Sequence, residues 1–207
     1  MRRIFCAGAL LLMVQAVGAQ KPVKTIADGV LDTIDLFVDA LDHPADLTVV
    51  IKPFDSSQTD LGTGGTDGKD TRRDEAKTMQ LDGPRVLAER FVATIDKGAF
   101  KAVEAIKVDD PVPAGAIVVE GRFVKLDPGS RTKRYFAGFG AGKSTVQVAG
   151  TVKNSSGQTL ATFGQRRFGA MGLGGGDSLG KLMADSRSIG EDIAKFLSKW
   201  ARGEKLD

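Results

Sequence analysis

The sequence predicts a single α/β domain in which a mostly antiparallel sheet has helices packed on it. Three observations predict this class. The apolar residues of 178–202 recur at helical spacing, 144–168 reads as two strands joined by a turn, and no internal repeat divides the 207 residues. Apolar residues at 42% and charged residues at 27% are ordinary values for a globular domain with one hydrophobic core.

The N-terminus has the pattern of a bacterial export signal, predicted as residues 1–19. Two arginines precede an apolar run from Ile4 to Val17, and small residues follow it. We expect cleavage after Ala19, so that the mature chain begins at Gln20 and is secreted to the periplasm or cell envelope. The apolar run is shorter than the roughly 20 residues that span a bilayer. The mature chain is therefore predicted to have no transmembrane span.

Cysteine and charge exclude several classes of protein. The only cysteine, Cys6, lies ahead of most of the apolar run, and a lipid-attachment cysteine would follow that run. The mature domain then has no disulfide and depends on its core. Loss of Arg2 and Arg3 with the leader lowers the formal charge from +3 to +1, which gives little support to nucleic-acid binding. With a single histidine and no mature cysteine, we expect no metal site and no cofactor.

The first half of the chain is predicted to contain two helices and two strands. Residues 20–44 are predicted as an N-terminal amphipathic helix ahead of the α/β domain at 45–207, because apolar residues recur there at three- and four-residue spacing opposite a row of aspartates. A run of apolar and β-branched residues predicts a buried strand at 47–54. A stretch of Asp, Ser, Thr and Gly predicts a mobile loop at 55–73. Asp-Gly-Pro predicts the start of the second helix, 84–97, and a short strand follows at 100–106.

The second half is predicted to be mainly β and then helical. Alternating apolar and polar residues predict strands at 116–126, 144–153 and 159–168, the last two forming a hairpin. A glycine-rich loop at 169–176 then leads into a terminal helix at 178–202.

Residues 137–144, AGFGAGKS, nearly match the phosphate-binding loop G-x-x-x-x-G-K-[ST]. Ala137 replaces the first glycine, and Ser144 opens a predicted strand where the motif requires a helix N-terminus. A nucleotide-binding protein or a hydrolase that uses this degenerate segment is the alternative function. The structural interpretation is that Gly138, Gly140 and Gly142 permit bends in a connection between strands.

Long stretches of the chain resemble a known family. The segments ADLTVVIKPF and AIVVEGRF through GGGDS, and above all LDPGSRTKRYFAGFGAGKS, resemble the bacterial exported family called domain of unknown function 4410 over roughly residues 45–201. The resemblance implies an exported protein with this family's fold, and it implies no activity or catalytic residue. Many members look like lipoproteins, and this chain departs from them because it lacks a usable lipid-attachment cysteine.

We therefore predict a non-enzymatic envelope module that binds a partner, either an envelope protein or an anionic envelope component. The predicted surface is the connection 127–143, where cationic and aromatic side chains alternate as they do in interface centres. In the alternative interpretation, the aromatic residues cap the core and the charges are solvated. The candidate binding residues are Arg131, Lys133, Arg134, Tyr135, Phe139 and Lys143.

Overall fold

The computed structural model describes residues 21–62, 69–129, 144–169 and 178–207. The predicted leader lies outside these ranges. In chain order, the elements within them are β1 (Lys24–Ala27), β2 (Thr33–Leu36), a turn of 3-10 helix (Pro44–Asp46), β3 (Thr48–Ile51), α1 (Lys69–Thr94), β4 (Ala102–Ala105), β5 (Ala116–Asp127), β6 (Thr145–Asn154), β7 (Thr159–Phe168) and α2 (Ser178–Ala201).

The strands form one mixed sheet of seven strands in the order β1-β2-β7-β6-β5-β3-β4. β5, β6 and β7 are long consecutive antiparallel strands, and the β1–β2 hairpin pairs antiparallel with β7. Only β3 pairs in parallel, with β5 on one side and β4 on the other. A parallel neighbour needs a crossover, and α1 supplies it between β3 and β4. The predicted class, an α/β domain with a mostly antiparallel sheet and helices packed on it, is confirmed.

Both helices cover the same face of the sheet. Alternate residues of the long strands point toward the helices and are buried there with helical residues, including Val119, Phe123, Val148, Val152, Phe163, Leu87, Phe91, Ile193 and Phe196. The residues between them point to the opposite face. On that face a small separate cluster of Val50, Ala116 and Val118 is covered by the segment 106–112. No described helix packs on the rest of this face, which we call the open face.

The prediction of an amphipathic helix at 20–44 is wrong. Its described part contains the β1–β2 hairpin, in which Ile26 and Ile34 pair across the two strands and are both buried. The chain reverses at Asp28, where φ is 54° and the backbone N–H donates to the Asp32 carbonyl at 2.9 Å. β-Branched residues favour strands, and pairing with β7 buries both isoleucines, so strand formation prevails over the helical spacing.

The predicted loop at 55–73 is corrected at both ends. Residues 55–62 run along β5, where Asp55 pairs with Arg122 and Asp60 with Lys125 as isolated bridges. At the other end, 69–73 already belong to α1. The intervening residues 63–68 lie outside the described ranges.

The second helix was predicted to begin at Pro84, but α1 begins at Lys69 and contains Pro84 in its interior. Proline has no N–H, so the carbonyl of Gln80, four residues earlier, loses its helical partner. The Ser56 hydroxyl donates to that carbonyl at 2.7 Å. The Gln80 side chain donates in return to the Ser56 carbonyl at 2.5 Å. The preceding loop thus compensates for the proline.

Candidate functional site

The predicted binding residues Arg131, Lys133, Arg134, Tyr135, Phe139 and Lys143 lie outside the described residues, as do Gly138, Gly140 and Gly142. The structure does describe both ends of their segment. β5 ends at Asp127, which pairs with Thr145 of β6. The Asp127 carboxylate accepts a hydrogen bond of 2.8 Å from the backbone N–H of Gly129, whose φ is +78°. The segment 130–143 therefore begins and ends on adjacent strands.

The returning end is tightly packed. Ser144 is buried, and its carbonyl accepts a hydrogen bond of 2.9 Å from the backbone N–H of Gly169. A Cβ at position 169 would lie 1.9 Å from the Ser144 hydroxyl oxygen, so a side chain there would require this hydroxyl to move. β6 begins at the next residue, Thr145. The motif Gly142-Lys143-Ser144 thus leads into a strand, and the helix that a phosphate-binding loop requires is replaced by β6.

Two residues at the end of β7 extend this region onto the described part of the chain. Phe168 is 57% exposed, and the Arg166 guanidinium carbon lies 5.9 Å from the centre of its ring, within cation–π distance. The Arg166 Nε donates to the Gln147 side-chain oxygen at 3.2 Å. Phe168 pairs with Thr145, the residue that also pairs with Asp127. We call Arg166 and Phe168 the strand-end pair.

The strand-end pair was missed by sequence reasoning, which assigned 159–168 only as a hairpin strand. The available signal was alternation: Thr162, Gly164, Arg166 and Phe168 share one side of β7. A glycine and two polar side chains on that side indicate that it faces solvent. A phenylalanine in the same register is therefore expected to be exposed.

The other side of β7 is fixed to α2 by a polar cluster. Arg167 forms an ion pair with Asp192, and the Gln165 side chain donates to the same carboxylate at 2.9 Å. Burial raises the pKa of the neighbouring Asp185, although the charge of Arg167 opposes this shift. Among the described residues, the Asp185 Oδ2 and Arg167 Nε atoms are buried without a hydrogen-bond partner. These contacts hold β7 against α2 on the side of the strand opposite to the strand-end pair.

The open face contains a groove with a volume of about 1050 Å³, which we call the open-face groove. Its floor is formed by small side chains of β6 and β7, where Ala149 pairs with Gly164 and Thr151 with Thr162. Long charged side chains stand around this floor. A ligand can thus approach the sheet closely at the centre of the groove.

Charges at the edges of the open-face groove are unevenly paired. Lys153 and Glu120 neutralise each other at 2.5 Å. Within the described ranges, Lys52 and Arg122 form no ion pair, although both line the groove. Across the groove, the Asp35 carboxylate accepts a hydrogen bond of 2.6 Å from the Thr25 hydroxyl and likewise meets no cation. Unpaired positive and negative groups therefore face each other across the floor.

The described residues include the one histidine of the sequence and no cluster of metal-ligating side chains. His43 is exposed beside Asp42, with 3.5 Å between the imidazole Nε2 and the carboxylate. Across the described ranges, no group of three His, Cys, Asp or Glu side chains could hold a metal ion. In the same ranges, neither helix is long and apolar enough to cross a bilayer.

These features define a single-sheet α/β protein with two helices on one face and a polar, grooved opposite face. The chain belongs to the family described as Domain of unknown function (DUF4410), whose sequence model matches residues 49–172. The resemblance expected from the sequence is thereby confirmed.

Solved structures that match this chain include a PelC dodecamer from Paraburkholderia phytofirmans, 11% identical with a TM-score of 0.42. That match covers 80% of this chain and 94% of that one. An uncharacterized protein is 8% identical with a TM-score of 0.43, and the match covers 77% of this chain and 97% of that one. No curated protein matches the chain.

Proposed function

We propose that this protein is a non-enzymatic module of the periplasm or cell envelope that binds a partner through the ends of β5, β6 and β7. The observation that carries the proposal is the strand-end pair. Phe168 is 57% exposed beneath the Arg166 guanidinium, at the strand end from which the basic and aromatic segment 130–143 departs.

Two kinds of side chain favour an interface here. Arginine and aromatic residues dominate the binding energy at interface centres because they combine a large contact area with directed polar groups. The strand-end pair supplies one of each, held from beneath by the ion pair between Arg167 and Asp192. The sequence adds Arg131, Lys133, Arg134 and Lys143 within the adjoining segment. This excess of cations favours an anionic partner surface, on an envelope protein or another envelope component.

The nucleotide-binding or hydrolase alternative has less support. Its motif would need a helix after Ser144 to direct backbone N–H groups and the helix dipole at phosphates, whereas β6 follows. A melting experiment with ATP or GTP plus Mg²⁺ tests it directly. A nucleotide at one hundred times its dissociation constant would add about 2.7 kcal/mol of stability. We expect no shift, and a shift that Lys143→Ala removes would establish the alternative.

Export is part of the proposal. The apolar run after Arg2 and Arg3 supports cleavage after Ala19, and the family resemblance supports the same compartment. N-terminal analysis of protein recovered from the envelope fraction should give Gln20 as the first residue. Recovery of a chain that retains Met1 would refute this part of the proposal.

The binding proposal is tested with the double variant Arg166→Ala/Phe168→Ala in the full chain. Proteins captured by the wild type from an envelope extract are identified, and binding of the purified partner is then measured for each variant. Because one residue of this pair supplies charge and the other contact area, we expect at least a tenfold loss of affinity, about 1.4 kcal/mol. Exposed substitutions usually change stability by less than about 0.5 kcal/mol, so the melting temperature should be nearly unchanged.

The matched control is Leu81→Ala/Arg187→Ala, which removes a more exposed apolar side chain and an exposed arginine from the helices. It should bind as the wild type does. Arg131→Ala/Arg134→Ala should weaken binding as the strand-end variant does, because both remove positive charge from one surface. Full binding by both double variants, or unfolding of both, would show that the strand ends are structural and the proposed surface is wrong.

A further inference from the structure

The open-face groove is separate from the strand-end pair, which does not line it. At the centre of its floor the side chains of β6 and β7 are all small, namely Ala149, Thr151, Thr162 and Gly164. Backbone groups of central strands are already bonded within the sheet, so side chains must recognise a ligand here. The Thr151 and Thr162 hydroxyls have no partner among the described residues and can each donate and accept a hydrogen bond.

The two ends of this floor differ in charge. On the β5 side stand Lys52 and Arg122, and the acid between them, Glu120, is already neutralised by Lys153. The exposed Asp55 also lies near Arg122. The hydrogen bond of 2.8 Å from the Ser57 backbone N–H, together with the charge of Arg122, lowers the pKa of Asp55, so this carboxylate stays negative and partly offsets Arg122. On the β2 side the anion is Asp35.

The distance between the charged ends sets the size of the ligand. β2 and β5 are separated by three strand spacings, because β7 and β6 lie between them. At about 4.8 Å per spacing the separation is roughly 14 Å. An extended peptide advances about 3.4 Å per residue, so four residues cover this distance.

We propose that the open-face groove binds an extended peptide across the strands, with its amino terminus beside Asp35 and its carboxylate beside Lys52 and Arg122. The threonine hydroxyls bond its backbone amides, and the small floor residues let the peptide approach the sheet. The proposal concerns a second site and does not depend on the function proposed for the strand ends.

The probe is tetra-alanine, whose only charges are its termini, in free, N-acetylated, C-amidated and doubly blocked forms. Titrations of isotope-labelled full-length protein, followed by NMR, give the dissociation constant and the residues affected. We expect shifts at Thr151 and Thr162 with the free peptide. Each blocked terminus should weaken binding about two- to fivefold, the range of a partly exposed ion pair.

Variants assign each terminus to its partner. Asp35→Asn should weaken binding of the free peptide as much as N-acetylation does, and the two changes together should cost no more than either alone. Likewise, Arg122→Gln should weaken binding of the free peptide as much as C-amidation does, and the two changes together should cost no more than either alone. The matched controls are Asp39→Asn and Arg187→Gln, which replace exposed charges outside the groove. Both controls should bind free tetra-alanine as the wild type does.

Two results would overturn the proposal. One is equal binding of free and doubly blocked tetra-alanine, or no binding of either. The other is additive loss from Asp35→Asn and N-acetylation, which would mean that the amino terminus lies elsewhere. Arg166→Ala/Phe168→Ala should leave peptide binding intact, and Asp35→Asn should leave partner capture intact, so failure at one site is distinguishable from failure at the other.

Discussion

Gly190 of α2 lies directly against the backbone of Leu87 in α1. A Cβ at position 190 would be 2.4 Å from the Leu87 carbonyl oxygen and 3.3 Å from the Phe91 backbone nitrogen. The obstruction is helix backbone, which cannot rotate away as a side chain can. The distance between the two helices, and with it the depth of the core beneath them, therefore depends on the absence of a Cβ at Gly190.

Gly190→Ala should destabilise the domain by about 1 to 3 kcal/mol, the usual cost of overpacking. Alanine favours a helix over glycine by about 1 kcal/mol, so any net loss must arise from the contact with Leu87. Urea unfolding measures the change. Gly98→Ala is the control, because its Cβ would meet only an Asp96 side-chain oxygen at 3.2 Å. Equal stability of Gly190→Ala and the wild type would mean that the helices separate easily.

Ser56→Ala should cost about 1 to 2 kcal/mol, because it leaves the Gln80 carbonyl without its donor. The cost should depend on Pro84. In a Pro84→Ala background the new backbone N–H can bond to Gln80, so the same serine change should cost much less. Denaturant unfolding of the four proteins in this cycle measures the coupling. An unchanged cost in the alanine background would show that the hydroxyl does not compensate for the proline.

Removal of α2 should unfold the domain. Trp200 stacks on Phe196 with 5.7 Å between ring centres, and its indole N–H donates to the Asp39 carbonyl at 3.3 Å. Trp200→Ala alone should cost about 3 to 5 kcal/mol. Truncation before Ser178 removes this contact and the rest of the buried stripe, which rivals a whole domain's stability of about 5 to 15 kcal/mol. A truncated chain with an unchanged calorimetric transition would contradict this role.

Glu191→Gln should lower stability in a pH-dependent way. Hydrogen bonds from Lys195 and Arg90, at 2.7 and 2.8 Å, lower the pKa of Glu191 from 4.5 to about 2. A lowered pKa stabilises the fold above pH 4.5 and ceases to do so as the pH falls toward 2. We expect a loss of about 0.5 to 1 kcal/mol at pH 7, limited by solvent screening, and almost none near pH 2. Glu104→Gln, on exposed β4, is the control, and a loss independent of pH would contradict the prediction.

Much of the fold could be predicted because local pattern and tertiary environment agree. β6 alternates Val146, Val148 and Val152 toward the core with polar residues toward the open face, as its sequence alternation predicts. The hairpin at Ile26 and Ile34 was misassigned because their spacing of eight residues suits one helix face as well as a strand pair. Only pairing with β7, which lies far along the chain, decides between a helix and a pair of strands.

The candidate sites were less accessible from sequence because both depend on strand order. Asp35 and Arg122 are 87 positions apart in the chain and face one groove only because β7 and β6 lie between their strands. Sequence reasoning predicted a binding surface at the basic and aromatic segment 127–143, and this stays a prediction because residues 130–143 lie outside the described ranges. It did not bring Phe168 to the same end of the sheet, since that requires the shared pairing partner Thr145.

The strand order also has a consequence for synthesis. β1 and β2 join the rest of the sheet only by pairing with β7, and β3 joins it only by pairing with β5, so the sheet cannot be completed until residues 116–168 have been synthesised. Closing such long loops is entropically costly and slow. A partly synthesised chain therefore lacks the three long strands that join the two edges of the sheet.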